Sequence, residues 1–362
     1  MSFLEIDGLT KEFGDLVAVD DVSLDVEEGS FVTIVGPSGC GKTTILRSIT
    51  GLETPTSGEI RLEGRDITEL PPYRRNIGLV FQDYALFPHK TVFDNIAFGL
   101  KMRGESEEKR RATVEEMLEM VNLEGYEEKY PEECSGGEQQ RIAVARALAF
   151  DPDLVLMDEP LSNLDKNLRT TIRGELRRIQ DETGVTTVYV THNQNEALSL
   201  GDKLAVINDG ELEQYDTPET VYREPNTPFV ADFLGRSTEL RGTYALRNGE
   251  AVAALQGDFE LAVPVDDDIA DGTTVSLFLR DEKLKLSVEG DAPVNAMDGV
   301  IESVDYRGRD INYFVRVARL DQTVQVSHIP DHSDERVMNV GDEVQVYIEP
   351  ENVTCLEARE AT

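Results

Sequence analysis

Gly36-Pro37-Ser38-Gly39-Cys40-Gly41-Lys42-Thr43 follows directly on the apolar, β-branched run Phe31-Val32-Thr33-Ile34-Val35 and leads into a helical pattern over Thr43–Ile49. A G-x-x-x-x-G-K-[ST] loop between a strand and a helix is a phosphate-binding cradle. Its glycines let successive backbone N–H groups turn inward around a polyphosphate, and the N-terminus of the following helix adds its dipole. Lys42 is expected to neutralise β- and γ-phosphate oxygens, and the Thr43 hydroxyl to hold Mg²⁺. Cys40, inside the loop, reads as a tolerated small residue rather than a chemical participant.

Two further apolar strands, Leu154-Val155-Leu156-Met157 and Thr186-Thr187-Val188-Tyr189-Val190, each follow a helical pattern. That βαβ rhythm predicts an α/β fold with a mostly parallel sheet covered by helices. The first of these strands ends in Asp158-Glu159-Pro160. Beside the cradle, Asp158 is expected to bind the metal through water, and Glu159 to polarise a water in line with the γ-phosphate. Two acids after a strand can instead cap the next helix; the cradle upstream weighs toward the catalytic reading. His192 follows the second strand, and Gln82 follows the strand-like Ile77–Phe81, so both lie at the edge where parallel sheets bind ligands. The charged stretch Glu105–Met120 reads as a helix with a solvated face.

After about Gly235 the texture changes. Thr274–Leu279, Ile311–Val317, Thr323–Ser327 and Glu343–Ile348 are short alternating runs separated by Gly, Asp and Asn turns. They predict a small antiparallel barrel or sandwich, hence two domains, 1–235 and 236–362.

Among 362 residues, Asp and Glu number 71 against 35 Lys and Arg, a formal charge of −36. The excess is −22 up to Gly235 and −14 after it, so it is spread along the chain, and only 10 of the basic residues are Lys. Such a balance argues strongly against a nucleic-acid binder held by phosphate contacts, which needs a basic face. It predicts adaptation to a salty cytoplasm, because at 1 M salt the Debye length is about 3 Å and self-repulsion is screened. No apolar stretch approaches the ~18–20 residues that span a bilayer, and no basic segment followed by an apolar run opens the chain. Cys40, Cys134 and Cys355 are scattered and odd in number, which argues against a disulfide framework and for a reducing compartment.

Cys134-Ser135-Gly136-Gly137-Glu138-Gln139-Gln140-Arg141 resembles the Leu-Ser-Gly-Gly-Gln signature of ATP-binding-cassette (ABC) ATPases, and the order of elements around it extends the resemblance over essentially the whole chain. The resemblance implies a P-loop cassette with a helical subdomain, working with ATP and Mg²⁺. It assigns Phe13 to adenine stacking and Gly36, Pro37, Ser38, Gly39, Cys40, Gly41, Lys42, Thr43 and Thr44 to the phosphates. Gln82 becomes the loop glutamine that joins Thr43 and Asp158 at the metal and links the site to a membrane partner. His192 becomes a switch histidine acting with Lys42, Gln82 and Glu159 in catalysis. Ser162-Asn163-Leu164-Asp165 resembles the dimer-contact loop, with Asp165 near the nucleotide. Ser135, Gly136, Gly137 and Glu138 would contact a nucleotide held by another copy; Cys134 for Leu and Glu138 for Gln are departures from the family pattern. The spacing has its own physical reading: Ser135-Gly136-Gly137 opens the helical run Glu138–Phe150 and so makes a second helix-terminus anion site. A two-fold partner could supply it, giving two composite sites in a head-to-tail pair.

Val80-Phe81-Gln82-Asp83-Tyr84-Ala85-Leu86-Phe87-Pro88-His89 resembles the importer form of this loop. Met297–Ile301, Asp305–Gly308 and Val344–Glu349 resemble pieces of the oligomer-binding-fold domains appended to importers of small solutes, and Arg280-Asp281-Glu282 resembles their Arg-Pro-Glu with Asp in place of Pro. The implied protein is the ATPase of a spermidine/putrescine or ferric-iron type importer, with tungstate, molybdate, thiamine, quaternary amines and sugars left open. Its implied partners are a second ATP-binding subunit, most simply an identical one, transmembrane permease subunits and, indirectly, an extracellular solute-binding protein. It would then lie peripherally on the cytoplasmic face of the membrane. The competing classes are a soluble ABC ATPase acting on ribosomes or nucleic acid and a nucleotide- and solute-sensing module; intact Lys42, Asp158, Glu159 and His192 argue for turnover.

Overall fold

The structure, a computed structural model, describes residues 2–247, 249–255, 259–287, 294–308, 310–329 and 338–358. The chain divides into two compact units, Met1–Val221 and Tyr222–Thr362.

In the first unit, β1 (Leu4–Phe13), β2 (Leu16–Val26), β4 (Ser57–Leu62) and β5 (Arg65–Asp66) form an antiparallel sheet in the order β2-β1-β4-β5. The second sheet combines β3 (Phe31–Val35), β6 (Ile77–Val80), β7 (Leu154–Asp158), β8 (Thr186–Thr191), β9 (Lys203–Asn208) and β10 (Glu211–Asp216) in the order β10-β9-β3-β8-β7-β6. All its pairings are parallel except that of β10 with β9. β3 and β8 are buried at every position, as the unbroken Val/Ile-rich runs require of strands covered on both faces. Helix α1 (Lys42–Thr50) turns its apolar residues Ile45, Leu46 and Ile49 into the core shared by the two sheets. α2 (Val92–Ile96), α3 (Phe98–Met102), α4 (Glu107–Met120) and α5 (Gly136–Leu148) make a helical layer. Its core joins Val114, Met117 and Leu118 of α4 to Ile142, Ala143 and Val144 of α5. The charged α4 is thus solvated on one face and packed on the other. α6 (Lys166–Thr183) and α7 (Gln194–Leu200) complete the unit.

The second unit holds two antiparallel sheets. β11 (Ser237–Arg247), β12 (Glu250–Ala254), β13 (Glu260–Val263), β14 (Thr274–Arg280) and β20 (Val353–Glu357) run in the order β13-β12-β11-β14-β20. β15 (Lys285–Ser287), β16 (Met297–Tyr306), β17 (Ile311–Val317), β18 (Gln322–His328) and β19 (Glu343–Tyr347) run β15-β19-β16-β17-β18. Leu277, Leu279, Met297, Val315, Val326 and Val346, drawn from both sheets, share one core, so the alternating runs do build the small barrel-like all-β domain their texture predicts. The contact division precedes the change of texture because Tyr222–Gly235 is tied to this unit: Arg280 donates to the Tyr222 carbonyl at 2.7 Å and stacks on its ring.

One buried arginine anchors α1 from its far end. The Arg75 guanidinium, 3% exposed, donates to the carbonyls of Ser48, Ile49, Leu70 and Thr68 at 2.6–2.8 Å. Ser48 and Ile49 lie in the last turn, where carbonyls run out of intrahelical donors, and Ser48 has only a 3.2 Å bond from the Gly51 amide besides the fork. Gly51, left-handed at φ +77°, closes the helix where a Cβ would stand 2.5 Å from Arg75 Nε. Removing this fork takes a charged donor from all four carbonyls and leaves Ser48 with the Gly51 amide alone. Arg75→Met is expected to cost about 3 kcal/mol, since bonds to charged groups are worth roughly 1.5–3 kcal/mol each before relaxation. Hydrogen–deuterium exchange read at α1 checks it, and unchanged protection there would refute the anchor.

Candidate active site

β3, β7 and β8 run parallel and end at one edge of the sheet, and each delivers part of the site there. After β3 the chain turns through the glycine loop into α1. Two of its glycines are imposed by close approach: a Cβ on Gly36 would lie 2.1 Å from the Ile207 carbonyl oxygen, and one on Gly41 2.3 Å from that of Ala18. Gly39 and Gly41 also take left-handed φ of +87° and +103°, which glycine alone adopts without strain. Gly41 stands at the N-cap of α1 with no side chain to cap it, so the first amides of the helix are left for a ligand.

Lys42, 4% exposed, donates from Nζ to the carbonyls of Gly36 at 2.9 Å and Pro37 at 2.7 Å, and lies 3.7 Å from Cys40 Sγ. The ammonium is therefore held inside the curve of the loop by two of its three donors. Burial pushes the Cys40 thiol up, against a smaller opposing pull from Lys42. A protonated thiol is a poor nucleophile, which fits a packing role.

Thr43, on the first turn of α1, donates its hydroxyl to Asp158 Oδ1 at 3.2 Å. Burial raises the Asp158 carboxyl and neighbouring Glu159 adds to it, while the Thr43 hydrogen bond works the other way. These two oxygen ligands suit Mg²⁺, which is bound through one or two protein groups plus substrate phosphates rather than by a protein cage. Consistently, no cluster of three or more His, Cys, Asp or Glu is poised to hold a metal among the described residues.

Glu159 is placed by the backbone. Its amide donates to the Val190 carbonyl at 2.9 Å, one residue beyond the β7–β8 ladder, and its φ is +44°, a left-handed conformation strained for a side chain. That twist aims the carboxylate at the end of β8, where Oε2 lies 2.7 Å from His192 Nδ1. The helix-cap alternative fails for Glu159: Asp165 is the residue that caps α6, accepting from the amides of Asn167 and Leu168 at 3.0 Å.

Gln82 lies beyond β6, and its carbonyl accepts from Asn163 Nδ2 at 3.1 Å, so the glutamine loop and the Ser162–Asp165 loop are tied. Phe13, at the end of β1, keeps its ring 45% exposed with Lys11 Nζ 4.8 Å above it. Pro37, Ser38 and Thr44 lie in or directly after the loop.

Ser135 caps α5. Its hydroxyl accepts from the Glu138 amide at 3.4 Å while Glu138 Oε2 accepts from the Ser135 amide at 2.6 Å, a capping box. The other Glu138 oxygen accepts from the Tyr126 hydroxyl at 2.6 Å, and these bonds hold its carboxyl below the ordinary range, that of Tyr126 most of all. Gly137 packs closely under α6, where a Cβ would stand 3.0 Å from the Leu168 side chain. Among the described residues, no hydrogen bond or ion pair links Ser135–Glu138 to Gly36–Thr44. The structure thus gathers Lys42, Thr43, Asp158, Glu159 and His192, and places the Ser135 tip on a different packing surface.

Three residues have no local sequence signal. Arg146 donates to the carbonyls of Tyr84 and Ala85 at 2.7 and 2.6 Å, fixing a turn in which both have positive φ. Arg169 and Glu196 join the Ser162–Asp165 loop to β8. The arginines bond backbone carbonyls, which any residue supplies, and Glu196 bonds the Tyr189 and Thr191 hydroxyls, which only the turn from β8 into α7 brings to it.

Comparisons with known proteins agree with this layout. A family model described as ABC transporter matches residues 19–162, and one described as TOBE domain matches residues 277–356. The chain is 45% identical over 341 residues to the spermidine/putrescine import ATP-binding protein PotA of Acidothermus cellulolyticus, an alignment covering 94% of this chain and 89% of that protein. It is 42% identical over 321 residues to the Fe(3+) ions import ATP-binding protein FbpC 1 of Haemophilus influenzae, covering 88% of this chain and 94% of that one. Among solved structures, an ATP-binding cassette captured as a dimer in a post-hydrolysis state with ADP and Pi matches with a TM-score of 0.53 and 35% identity. That match covers 59% of this chain and 98% of the cassette. A cradle before α1, an acid pair closing β7, a histidine closing β8 and a Ser-Gly-Gly helix cap, in a chain with these relatives, lead to one conclusion: the protein belongs to the ABC transporter family as an ATP-hydrolysing ATP-binding subunit with a C-terminal TOBE domain.

Proposed function

We propose that this subunit drives a small-solute importer, with a polyamine or ferric iron as the first candidates for cargo, and that residues 1–235 carry the catalysis. The observation that supports turnover most directly is the 2.7 Å contact between Glu159 and His192 at the mouth of the cradle. Lys42 and the loop amides hold the β- and γ-phosphates, and Phe13 stacks on the base. Thr43 and Asp158 would hold Mg²⁺, with Gln82 beside them, and the ion would supply Lewis-acid neutralisation of phosphate charge. Glu159 accepts a proton from the attacking water, while His192, bonded through Nδ1, keeps the carboxylate in line.

The Ser135 tip is read as the second half of a site in a neighbouring copy, packed head to tail. Ser135 takes up the Glu138 amide, and the Gly136 and Gly137 amides of the same helix terminus suit a γ-phosphate held elsewhere. Closure of the pair around ATP then becomes the power stroke. Phe81 and Leu52, 38% and 50% exposed, line with Leu46, Arg47, Glu53, Leu79 and Asp158 a cavity of about 230 Å³. The exposed apolar side chains at its mouth, with the Val80–His89 loop that follows, suit a helix of a transmembrane permease subunit, which would place the protein peripherally on the cytoplasmic face. No helix among the described residues is long and apolar enough to cross a membrane. The names of the relatives support polyamine or ferric iron as cargo.

Glu159→Gln is expected to lower ATP hydrolysis by at least about a hundredfold while leaving MgATP binding intact and trapping an ATP-bound dimer on size exclusion. Wild-type turnover by the variant would remove Glu159 from the role of base. Lys42→Ala and Ser135→Arg should each be inactive alone. Their mixture should recover up to about a quarter of the wild-type rate, because half the pairs are mixed and each holds one complete site. Full activity in a lone wild-type copy, with no rescue on mixing, would overturn the pairing. The charge of −36 supports a requirement for salt. Thermal stability and ATPase rate should both rise as KCl approaches about 1 M, where charges more than about 3 Å apart are screened; a flat or falling salt profile would contradict it.

A further inference from the structure

Arg169, at the start of α6, folds back beneath the loop that precedes it. Its Nη2 donates to the carbonyls of Leu164 at 3.0 Å and Ser162 at 3.4 Å, and its Nε to that of Leu161 at 3.3 Å. Three carbonyls of one short loop therefore converge on one guanidinium. On its other side Nε lies 3.6 Å from Glu196 Oε1. Glu196, on α7, is 3% exposed, and its second oxygen accepts from the hydroxyls of Tyr189 and Thr191, both at 2.8 Å. Both hydroxyls belong to β8, and Thr191 immediately precedes His192. The Thr191 oxygen also accepts from the Asn193 amide at 3.0 Å, so the residues on both sides of His192 are held. The loop is tied back to the same place, for the Ser162 hydroxyl and amide donate to the Glu159 carbonyl at 2.9 and 3.2 Å.

A charge pair with one buried partner, Glu196, and one half-buried one, Arg169, is weak evidence for stability in itself, because desolvation and solvent screening consume most of the attraction. What such a pair does supply is a single geometry. A planar fork spanning three carbonyls admits one loop conformation, which a point-like ammonium could not impose. Burial and the adjoining Glu196 carboxylate push the Tyr189 phenol well above its ordinary value, so its hydroxyl remains a donor.

We propose that Arg169 and Glu196 are positioning residues that join the Ser162–Asp165 loop to the strand end carrying His192 in one rigid frame. Seating of that loop by a second copy is thereby transmitted to the Glu159–His192 contact. The inference rests on the head-to-tail pairing proposed above. It makes hydrolysis depend on a side chain that touches neither nucleotide nor metal.

The test uses the full chain. Arg169→Met should lower kcat about tenfold while the equilibrium affinity for MgATP stays within about twofold, the signature of an interaction acting in the transition state rather than in binding. Arg169→Lys keeps a cation beside Glu196 and so guards against a folding defect; it should show a smaller loss of the same kind. Glu196→Gln keeps an acceptor for the two hydroxyls but removes the charge, and its effect on kcat should not add to that of Arg169→Met in the double variant. In the Glu159→Gln background, Arg169→Met should still bind MgATP. Turnover within twofold of wild type in both Arg169 variants, additive losses, or a kcat loss matched by an equal loss of affinity would each overturn the inference. If Glu159→Gln and the mixing experiment behave as expected while Arg169→Met matches wild type, this inference alone falls. A wild-type copy that hydrolyses ATP at full rate without pairing brings down the pairing first and this inference with it.

Discussion

The hydrogen bond from the Glu159 amide to the Val190 carbonyl, 2.9 Å long, sets the geometry on which the site depends. β7 and β8 pair in register from Leu154 with Thr186 to Asp158 with Val190, and this bond carries the alliance one residue past the end of β7. A continuing strand would point Glu159 away from Asp158 by simple alternation. The left-handed φ of +44° breaks that alternation. Asp158 is left facing Thr43 and Glu159 is turned to His192. Two adjacent carboxylates thereby take separate tasks, one beside the hydroxyl of α1 and one beside an imidazole. The backbone strain is of the kind that persists where surrounding structure over-determines it.

The cradle meets a different constraint, the nearness of other backbone. At Gly36 and Gly41 the obstacles are carbonyl oxygens of Ile207 and Ala18. Neither is part of the loop; they belong to β9 and β2. The phosphate loop is thus wedged between the two sheets of the first unit, and its curvature is a property of that packing as much as of its own sequence. Arg75 holds the opposite end of α1, so the helix whose N-terminus faces the phosphates is fixed at both ends.

Much of this was legible in the sequence because the chemistry is local. Phe31–Val35, Leu154–Met157 and Thr186–Val190 announce buried parallel strands by their unbroken β-branched runs, and the structure extends the last two by one residue each, Asp158, which faces Thr43, and Thr191, which precedes His192. The spacing of Gly36, Gly41, Lys42 and Thr43 encodes one continuous object. The helical run expected from Glu138 begins two residues earlier, at Gly136, because the Ser135–Glu138 capping box draws those residues into its first turn. Here the departure from the family's Gln reads as a helix cap. Illegible were the bonds from Arg146 to Tyr84 and Ala85 and from Arg169 to Leu161, Ser162 and Leu164. A carbonyl carries no side-chain identity, so no pattern of letters marks it as a partner.

Those arginines also bear on the charge. Acidic residues outnumber basic ones by about two to one, so a carboxylate is never scarce. Several of the arginines nonetheless direct their forks at backbone. Arg75 reaches four carbonyls, Arg146 two, Arg141 those of Val121 and Asn122, and Arg280 that of Tyr222. Burial lowers Arg146 and brings Arg75 down to about 10, so both remain charged near neutrality and their bonds keep the strength of ionic donors. Carbonyls at helix ends and in strained turns cannot be satisfied by the carboxylates this chain has in excess, because those are acceptors too. The donors must be hydroxyls, amides or cations. With only 10 Lys among 35 basic residues, the burden falls on arginine, whose five donors can close several such gaps at once. The acidic surface and the arginine staples therefore divide one composition between them: Glu196 and Asp281 are buried, but most acids face solvent, while Arg75, Arg146 and Arg169 turn their forks inward to hold the loops on which the site is built.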